Sequence, residues 1–205
     1  MSTIYLLRHG ALPDNSRKRF IGQTDLPLAA EGIRQAQALA HALRDTNFGS
    51  IYCSDLRRTH QTAEIIVAKT RIPIQATRDL REISLGHWEG LLRSEVKTSF
   101  PEQYAARGDD IENCRVPGGE SFADCRLRAL TAWEKIVNCG GDHIVIVSHA
   151  GINRLLLCHL LGIPMTHMFR IAQDYGCVNI VQQTGESICV KLVNGRPTDI
   201  CSDTQ

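Results

Sequence analysis

Two histidines in this 205-residue sequence follow apolar runs and could act together on one ligand. His9 follows Arg8 at the end of the run Thr3 to Leu7, and His149 comes just after the run His143 to Val147. Each run is typical of a short buried strand. Because ligands in open α/β sheets bind beyond the carboxyl ends of strands, we expect both imidazoles to reach the same group. One could then serve as nucleophile and the other as hydrogen-bond donor.

The charges near these histidines suit a phosphate monoester. Such a group carries about −1.5 to −2 charges near neutral pH and is held well by arginine forks. Arg8 and Arg58 are placed to supply two forks, although helical phase alone does not separate Arg58 from Arg57. Ser54 is expected to cap a helix that begins at Asp55, whose free amides would face the same edge. We see no clustered carboxylates of the kind that hold Mg²⁺, and we expect neither a metal ion nor a cofactor.

The alcohol that leaves a phosphate ester needs a proton, which a nearby carboxylic acid would supply. Glu82 is the preferred residue for this role, and Glu89 is the alternative if the loop folds differently. The same side chain would then take a proton from the water that hydrolyses the phosphorylated histidine.

The elements that must position these residues alternate between strand and helix. Strands are expected at residues 3–7, 50–53, 72–75 and 143–147, a hairpin at 177–182 and 187–192, and helices at 29–44, 55–69, from 122 onward and at 152–161. This alternation predicts a single domain over residues 1–205, a three-layer α/β/α sandwich with a mostly parallel central sheet. The polar segment from Trp88 to Pro117 is predicted to be a small lid insertion over one end of the sheet.

The composition narrows the range of functions. Lys and Arg number 23 against 22 Asp and Glu, a net charge of +1, which gives no basic field for binding nucleic acid. We recognise no export signal and no apolar run that could span a bilayer, so we expect a cytoplasmic protein without a membrane partner. In that compartment the eight cysteines should remain thiols. The oligomeric state is left open, and a homodimer is one arrangement.

Five segments, spread over nearly the whole chain, together resemble the histidine phosphatase superfamily, also called the phosphoglycerate mutase-like family. They are Arg8-His9-Gly10, Ser54 to Ala63, Leu80-Arg81-Glu82 with Gly86 to Gly90, Pro117 to Ser121, and Val147-Ser148-His149. The resemblance implies that His9 is the phosphorylated nucleophile. It implies that Arg8, Arg58 and His149 complete the phosphate pocket, and that Glu82 is the proton donor.

The resemblance also covers residues that would contact the substrate. Asn15 matches a position that hydrogen-bonds the transferred phosphoryl group, and the loop with Gly22 and Gln23 matches a familiar substrate-binding loop. Many members continue the first motif with Glu or Gln and then Thr, whereas this sequence has Ala11-Leu12. That departure concerns the outer pocket more than the phosphoryl site.

Within the family, the chain length, the compact lid and the tail from Tyr175 to Asn179 resemble short bacterial phosphatases, especially α-ribazole phosphatase. The basic lid residues are Arg93, Lys97, Arg107 and Arg115, and the acidic ones include Glu95, Glu102, Asp109, Asp110 and Glu112. A net acidic lid favours a phosphatase over a mutase that handles bisphosphates. The resemblance then implies a metal-independent phosphomonoesterase that acts on a small phosphorylated metabolite such as α-ribazole 5′-phosphate. A cofactor-dependent phosphoglycerate mutase and a non-catalytic relative that binds phosphorylated ligands are the alternatives.

Overall fold

The computed structural model describes residues 1–13, 19–139 and 141–202, and it contains a six-stranded sheet. The strands are β1 (Ser2–Arg8), β2 (Ser50–Ser54), β3 (Ile74–Thr77), β4 (His143–Ser148), β5 (Val178–Thr184) and β6 (Ser187–Gly195). Their order is β3-β2-β4-β1-β5-β6, in which the first four are parallel and the β5–β6 hairpin is antiparallel. The mostly parallel sheet is confirmed.

Helices cover both faces of this sheet. They are α1 (Ala30–Ala42), α2 (Arg57–Val67), α3 (Arg93–Ser99), α4 (Pro101–Asp109), α5 (Phe122–Cys139) and α6 (Ala150–Leu161). Alternate residues of β1 enter different cores, with Ile4 and Leu6 in the cluster on the side of α5 and α6, and Tyr5 and Leu7 in the cluster with residues of α1 and α2. This alternation follows from the two-residue period of a strand and confirms the three-layer architecture.

Most element boundaries differ by one to three residues from the sequence-based prediction, and two of these differences have a clear physical reason. The prediction that Ser54 caps the second helix is wrong, because β2 continues through Ser54 and α2 begins only at Arg57, after Leu56. Ser54 Oγ instead accepts a hydrogen bond from the Leu56 amide at 3.3 Å. The edge strand β3 begins after Pro73 rather than before it, since proline has no amide hydrogen to donate to a ladder.

The segment predicted as a lid contains α3 and α4 and is anchored by buried side chains. Trp88, Val96 and Val116 belong to the core cluster that includes residues of α5 and α6.

The cysteines whose side chains are described are all free thiols, but Cys139 and Cys189 are exposed rather than packed in a core. Within the described ranges, no helix combines the length and the apolar character needed to cross a membrane.

Candidate active site

Parallel pairing of β1 with β4 brings the two histidines together. The register aligns Leu7 with Val147 and Arg8 with Ser148, so the residue that directly follows each strand is a histidine. The ring centroids of His9 and His149 are 5.1 Å apart, with the ring planes at 65°. Both residues are buried: 4% of the surface of His9 and 0% of the surface of His149 is exposed to solvent. The structure therefore brings the two histidines to one point, as expected for strands that end at the same edge.

His9 is held as a neutral imidazole with a defined tautomer. Its Nδ1 lies 2.8 Å from the carbonyl oxygen of Gly10, and because a carbonyl can only accept, Nδ1 carries the hydrogen. Burial, reinforced by the charges of Arg58 and Arg8, holds the pKa of His9 well below its ordinary value. Nε2 consequently keeps a free lone pair, which is what a nucleophilic imidazole requires.

The loop after His9 is fixed by close contact with the start of α1. A Cβ on Gly10 would lie 2.3 Å from the carbonyl oxygen of Gly32, so no larger residue fits at this crossing. The Ala11 amide donates to Gln35 Oε1 at 2.8 Å, and Leu12 lines the neighbouring cavity. The two residues that depart from the family motif thus have different surroundings: Ala11 contacts α1, and Leu12 lines the outer part of the cavity.

Arg58 links α2 to His149 and to the preceding loop. Its residue is 1% exposed, whereas Arg57 lies on the exposed side of the helix. Arg58 Nε donates to Nδ1 of His149 at 3.2 Å, Nη1 donates to the Thr24 carbonyl at 2.8 Å, and Nη2 donates to the Gly22 carbonyl at 2.7 Å. Because His149 accepts at Nδ1, its hydrogen is on Nε2, and that buried atom has no partner among the described residues.

The amides at the start of α2 are less available than the sequence suggested. The Arg57 amide donates to Asp25 Oδ1 at 2.7 Å. Asp55, in the turn before the helix, forms a two-point ion pair with Arg81, at 2.6 Å to Nε and 2.7 Å to Nη2. Cationic character in this part of the site therefore comes from the Arg58 guanidinium, because Arg81 is paired with a carboxylate and Arg58 has no such ion pair among the described residues.

The two candidate acids occupy different environments. Glu82 lines the cavity, accepts from the Gly151 amide at 3.0 Å through Oε2 and accepts from its neighbour Ile83 through Oε1. A Cβ on Gly151 would come within 2.2 Å of Glu82 Oε1, so the Glu82 carboxylate lies directly against the start of α6. The carboxylate therefore keeps acceptor capacity toward the cavity.

Glu89 accepts three hydrogen bonds from protein donors, one more than Glu82. Its Oε1 accepts from the amides of Gln23 at 2.9 Å and Leu85 at 3.0 Å, and its Oε2 accepts from Thr24 Oγ1 at 3.1 Å. Glu89 is not one of the residues that line the cavity among those described. This arrangement favours Glu82 as the acid and gives Glu89 the task of holding the loop at residues 22–24.

Sequence reasoning missed the pair that holds the Glu82 segment. Arg128 on α5 donates to the carbonyls of Asp79, Arg81 and Glu82 at 2.6–3.1 Å. It also forms an ion pair with Glu120, whose other oxygen accepts from the Ser84 amide at 2.8 Å. Glu120 stands in a motif that carried the family resemblance, but nothing in the sequence joins it to Arg128.

The predicted substrate-binding residues are placed differently from one another. Gly22 lines the cavity and has a positive φ of 52°, a conformation that favours glycine. Gln23 is not among the cavity-lining residues in the described ranges, and its side chain donates to the Glu82 carbonyl at 3.0 Å and accepts from Arg81 at 3.4 Å. Asn15 lies outside the described residues.

A cavity of about 620 Å³ opens beside these groups. Arg8, Arg58 and Glu82 line one part of it, next to the buried histidines, and lid residues line another. The remaining walls are largely apolar and include Leu12, Phe20, Ile21, Ile83, Leu85, Trp88, Tyr104, Ile111, Phe122, Phe169 and Tyr175. In the described ranges, no group of three or more His, Cys, Asp or Glu side chains is arranged to hold a metal ion.

The basic and acidic residues of the segment predicted as a lid lie on different sides of it. Arg93 and Arg107 line the cavity, whereas none of the lid carboxylates does so in the described structure. The net acidic charge that the lid has in sequence therefore describes its outer surface, and its inner surface is basic. A charge count along a segment does not predict this division, because neighbouring residues of a helix point in different directions.

Comparison with known proteins identifies the class to which this fold and site belong. Residues 4–195 match the model of the histidine phosphatase superfamily (branch 1), and the chain belongs to that superfamily. It is 28% identical over 199 residues to adenosylcobalamin/alpha-ribazole phosphatase of Escherichia coli strain K12, covering 94% of this chain and 96% of that protein. The family and fold predicted from the sequence are thereby confirmed.

Two further comparisons show the range of similar proteins. The chain is 36% identical over 157 residues to phosphoglycerate mutase-like protein 4 of Arabidopsis thaliana, covering 75% of this chain and 68% of that protein. The crystal structure of the alpha-ribazole phosphatase from Shigella flexneri aligns with a TM-score of 0.88 and 28% identity, covering 95% of this chain and 96% of that one.

Proposed function

We propose that this protein hydrolyses small phosphate monoesters through a phosphohistidine on His9, without a metal ion. The observation that carries the proposal is the tautomer of His9, whose Nδ1–H bond to Gly10 leaves Nε2 free beside Arg8, Arg58 and His149. A neutral nucleophile within a cationic pocket suits a dianionic phosphate ester, because the arginines stabilise charge on the three non-bridging oxygens of the transferred phosphoryl group.

The reaction balances with the groups present. His9 Nε2 forms a bond to phosphorus while the bond from phosphorus to the alcohol oxygen breaks, and the Glu82 carboxylic acid gives its proton to that oxygen. Water then attacks the phosphohistidine as the Glu82 carboxylate takes its proton. The nitrogen–phosphorus bond breaks, and inorganic phosphate leaves with His9 and Glu82 restored. His149 Nε2–H would donate to a phosphoryl oxygen throughout.

Within the class of small phosphate monoesters, the cavity supports α-ribazole 5′-phosphate as the particular substrate. Its volume of about 620 Å³ leaves room for a large alcohol beyond the phosphoryl group, and aromatic rings such as Phe20, Tyr104 and Phe169 form its walls. Planar aromatic groups pack well on such surfaces. The two alpha-ribazole phosphatases to which this chain is similar support the same assignment and, with it, a role in cobalamin biosynthesis.

Trapping of the intermediate tests the mechanism. Wild-type protein incubated with labelled substrate and quenched in base should carry a base-stable, acid-labile phosphoryl group, and His9→Asn should lose both the label and turnover. His41→Asn, which changes an exposed histidine on α1, is the matched control and should keep both. Turnover that persists in His9→Asn would refute the phosphohistidine. Binding of orthophosphate by wild-type protein without label or turnover would instead support a non-catalytic relative.

The basic inner face of the lid favours a second candidate, a phosphoglycerate mutase. Arg93 and Arg107 could bind the carboxylate of a phosphoglycerate while the phosphate pocket holds the other end. Supplying 3-phosphoglycerate with a bisphosphate primer separates the two activities. Release of inorganic phosphate from α-ribazole 5′-phosphate, with slow isomerisation of phosphoglycerate, supports the phosphatase, and rapid isomerisation without net phosphate release supports the mutase.

A further inference from the structure

Tyr175 contacts two members of the phosphate pocket and has no role in the mechanism described above. It lies in the segment before β5, is half-buried and lines the cavity. The guanidinium carbon of Arg8 is 3.7 Å from the centroid of the Tyr175 ring, and the His9 ring centroid is 5.5 Å from it. We infer that Tyr175 is a positioning residue for phosphoryl transfer, which acts by fixing Arg8 and His9. This inference rests on the proposed function.

The Arg8 side chain is held on one face and one edge. The Tyr175 ring covers the face, and Nη1 donates to the Gln173 carbonyl at 2.5 Å on the edge. The remaining edge, with Nε and Nη2, has no hydrogen-bond partner in the part of the chain that the structure describes, and Nε is fully buried. These two nitrogens form the fork that binds two oxygens of a phosphate at once.

A fork that is already oriented loses less side-chain entropy when phosphate binds. Arg8 has no carboxylate partner among the described residues, so no ion pair performs this orientation. An aromatic ring attracts a guanidinium without occupying its N–H groups, because the contact is made through the face. Tyr175 can therefore fix Arg8 while leaving its donors available for the substrate.

The second contact of Tyr175 concerns the nucleophile. The bond from His9 Nδ1 to the Gly10 carbonyl fixes one edge of the imidazole, and the ring contacts two aromatic neighbours. His149 is 5.1 Å away at an interplanar angle of 65°, and Tyr175 is 5.5 Å away at 54°. These contacts limit rotation of the imidazole and so keep the Nε2 lone pair in one direction, which favours in-line attack.

The segment that carries Tyr175 is tied to β1 by its backbone. The Gly176 amide donates to the His9 carbonyl at 3.2 Å, and the Arg8 amide donates to the Cys177 carbonyl at 3.1 Å. Gly176 has a positive φ of 68°, and a Cβ there would lie 2.9 Å from Cβ of Gln35. The backbone that carries the Tyr175 ring is thus hydrogen-bonded directly to the backbone of Arg8 and His9.

Buried amides hold the other end of this segment. Gln173 donates to Asn179 Oδ1 at 2.7 Å and accepts from Asn153 Nδ2 at 2.9 Å. Asn179 in turn donates to the Leu6 carbonyl on β1 at 2.9 Å. All three amide residues are at most 3% exposed, and their hydrogen bonds join this end of the segment to β1 and α6. The position of Tyr175 is therefore set by the core rather than by a mobile loop.

Two substitutions of Tyr175 test the inference, with orthophosphate as the probe of the phosphate pocket. Tyr175→Leu removes the aromatic face and is expected to raise KM and the inhibition constant of orthophosphate about tenfold each. Tyr175→Phe keeps the ring and should stay within about twofold of wild type in both, because the contact with Arg8 uses the ring face. Thermal unfolding of each variant separates a loss of fold from a loss of phosphate binding.

A double-mutant cycle with Arg8→Lys gives a readout that a purely structural role would not produce. Lysine lacks the planar group that lies on the ring, so Tyr175→Leu should change orthophosphate inhibition by less than about twofold in the Arg8→Lys background. An effect as large in that background as in wild type would overturn the inference. If the Leu variant does not fold, Tyr175→Gln takes its place in the same cycle.

Three other outcomes are decisive. Unchanged orthophosphate inhibition in a folded Tyr175→Leu protein, with wild-type turnover intact, refutes the role of Tyr175 and leaves the proposed function standing. A wild-type protein that neither hydrolyses phosphate esters nor binds orthophosphate refutes the proposed function itself. Equal damage from Phe and Leu would assign the effect to the hydroxyl group and would also overturn the inference.

Discussion

Arg58 Nε donates to Nδ1 of His149 at 3.2 Å, and this bond gives His149 the tautomer opposite to that of His9. His9 has its hydrogen on Nδ1, where it binds the Gly10 carbonyl, and so presents a lone pair at Nε2. His149 accepts at Nδ1 and so presents an N–H at Nε2. The pair can therefore supply one nucleophile and one donor to the same phosphoryl group without any proton transfer between them.

Replacing Arg58 with lysine should impair phosphoryl transfer. A lysine ammonium cannot hold His149, Gly22 and Thr24 at the geometry of a planar guanidinium, so the His149 tautomer and the cationic pocket are both disturbed. We expect kcat/KM for p-nitrophenyl phosphate to fall about 10²–10³-fold, which is typical for loss of a preorganised donor. Arg57→Lys, on the exposed side of the same helix, is the matched control and should keep the wild-type rate. Similar rates for the two variants would contradict the role given to Arg58.

Glu82→Gln and Glu89→Gln should affect different properties. Glu82→Gln is expected to slow hydrolysis of alkyl phosphates about 10²–10⁴-fold and of p-nitrophenyl phosphate far less, since only a poor leaving group needs the proton. Glu89→Gln should lower the free energy of unfolding by about 1–3 kcal/mol, because its oxygens accept three protein hydrogen bonds.

Steady-state rates on both esters and denaturant titrations distinguish these two acids. If Glu89→Gln shows the selective loss on alkyl phosphates and Glu82→Gln does not, the proton donor is Glu89 and the assignment is reversed. Equal loss on both esters in Glu82→Gln would indicate a structural role for that residue.

Stability should depend on pH through the buried histidines. Burial, reinforced by the charge of Arg58, holds the pKa of His9 and of His149 well below the ordinary value. The unfolded chain takes up protons on these imidazoles as the pH falls through about 6.5, whereas the folded protein does not. The free energy of unfolding is therefore expected to decrease below about pH 6.5, by about 1.4 kcal/mol per pH unit for each imidazole, until the folded protein is also protonated.

Denaturant titrations across this pH range check the sign and the source. His149→Gln should show a shallower decrease than wild type, and His41→Gln, which changes an exposed histidine, should show the wild-type slope. A slope that His149→Gln leaves unchanged would mean that the buried imidazole does not carry the effect.

The sequence by itself determined the sheet and the position of its reactive edge. Apolar runs with polar residues directly after them are local patterns, so the ends of β1 and β4 could be recognised without any knowledge of packing. The placement of His9 beside His149 then followed from parallel pairing, and the motifs around Arg58 and Glu82 indicated the family. Boundaries failed where local signals competed, as at Ser54, which is a good cap residue but ends a strand.

The tertiary structure decided what depends on contacts between distant parts of the chain. Helical phase alone did not separate Arg58 from Arg57, and the motifs only favoured Glu82 over Glu89. The folded structure shows that Arg58 and Glu82 line the cavity, because the direction of each side chain depends on partners on other elements. The contact of Tyr175 with Arg8 joins two residues that are far apart in the sequence, so it has no local signature. Tautomers, buried faces and bond directions are set by which groups meet in space, and that is why the folded structure was needed to define them.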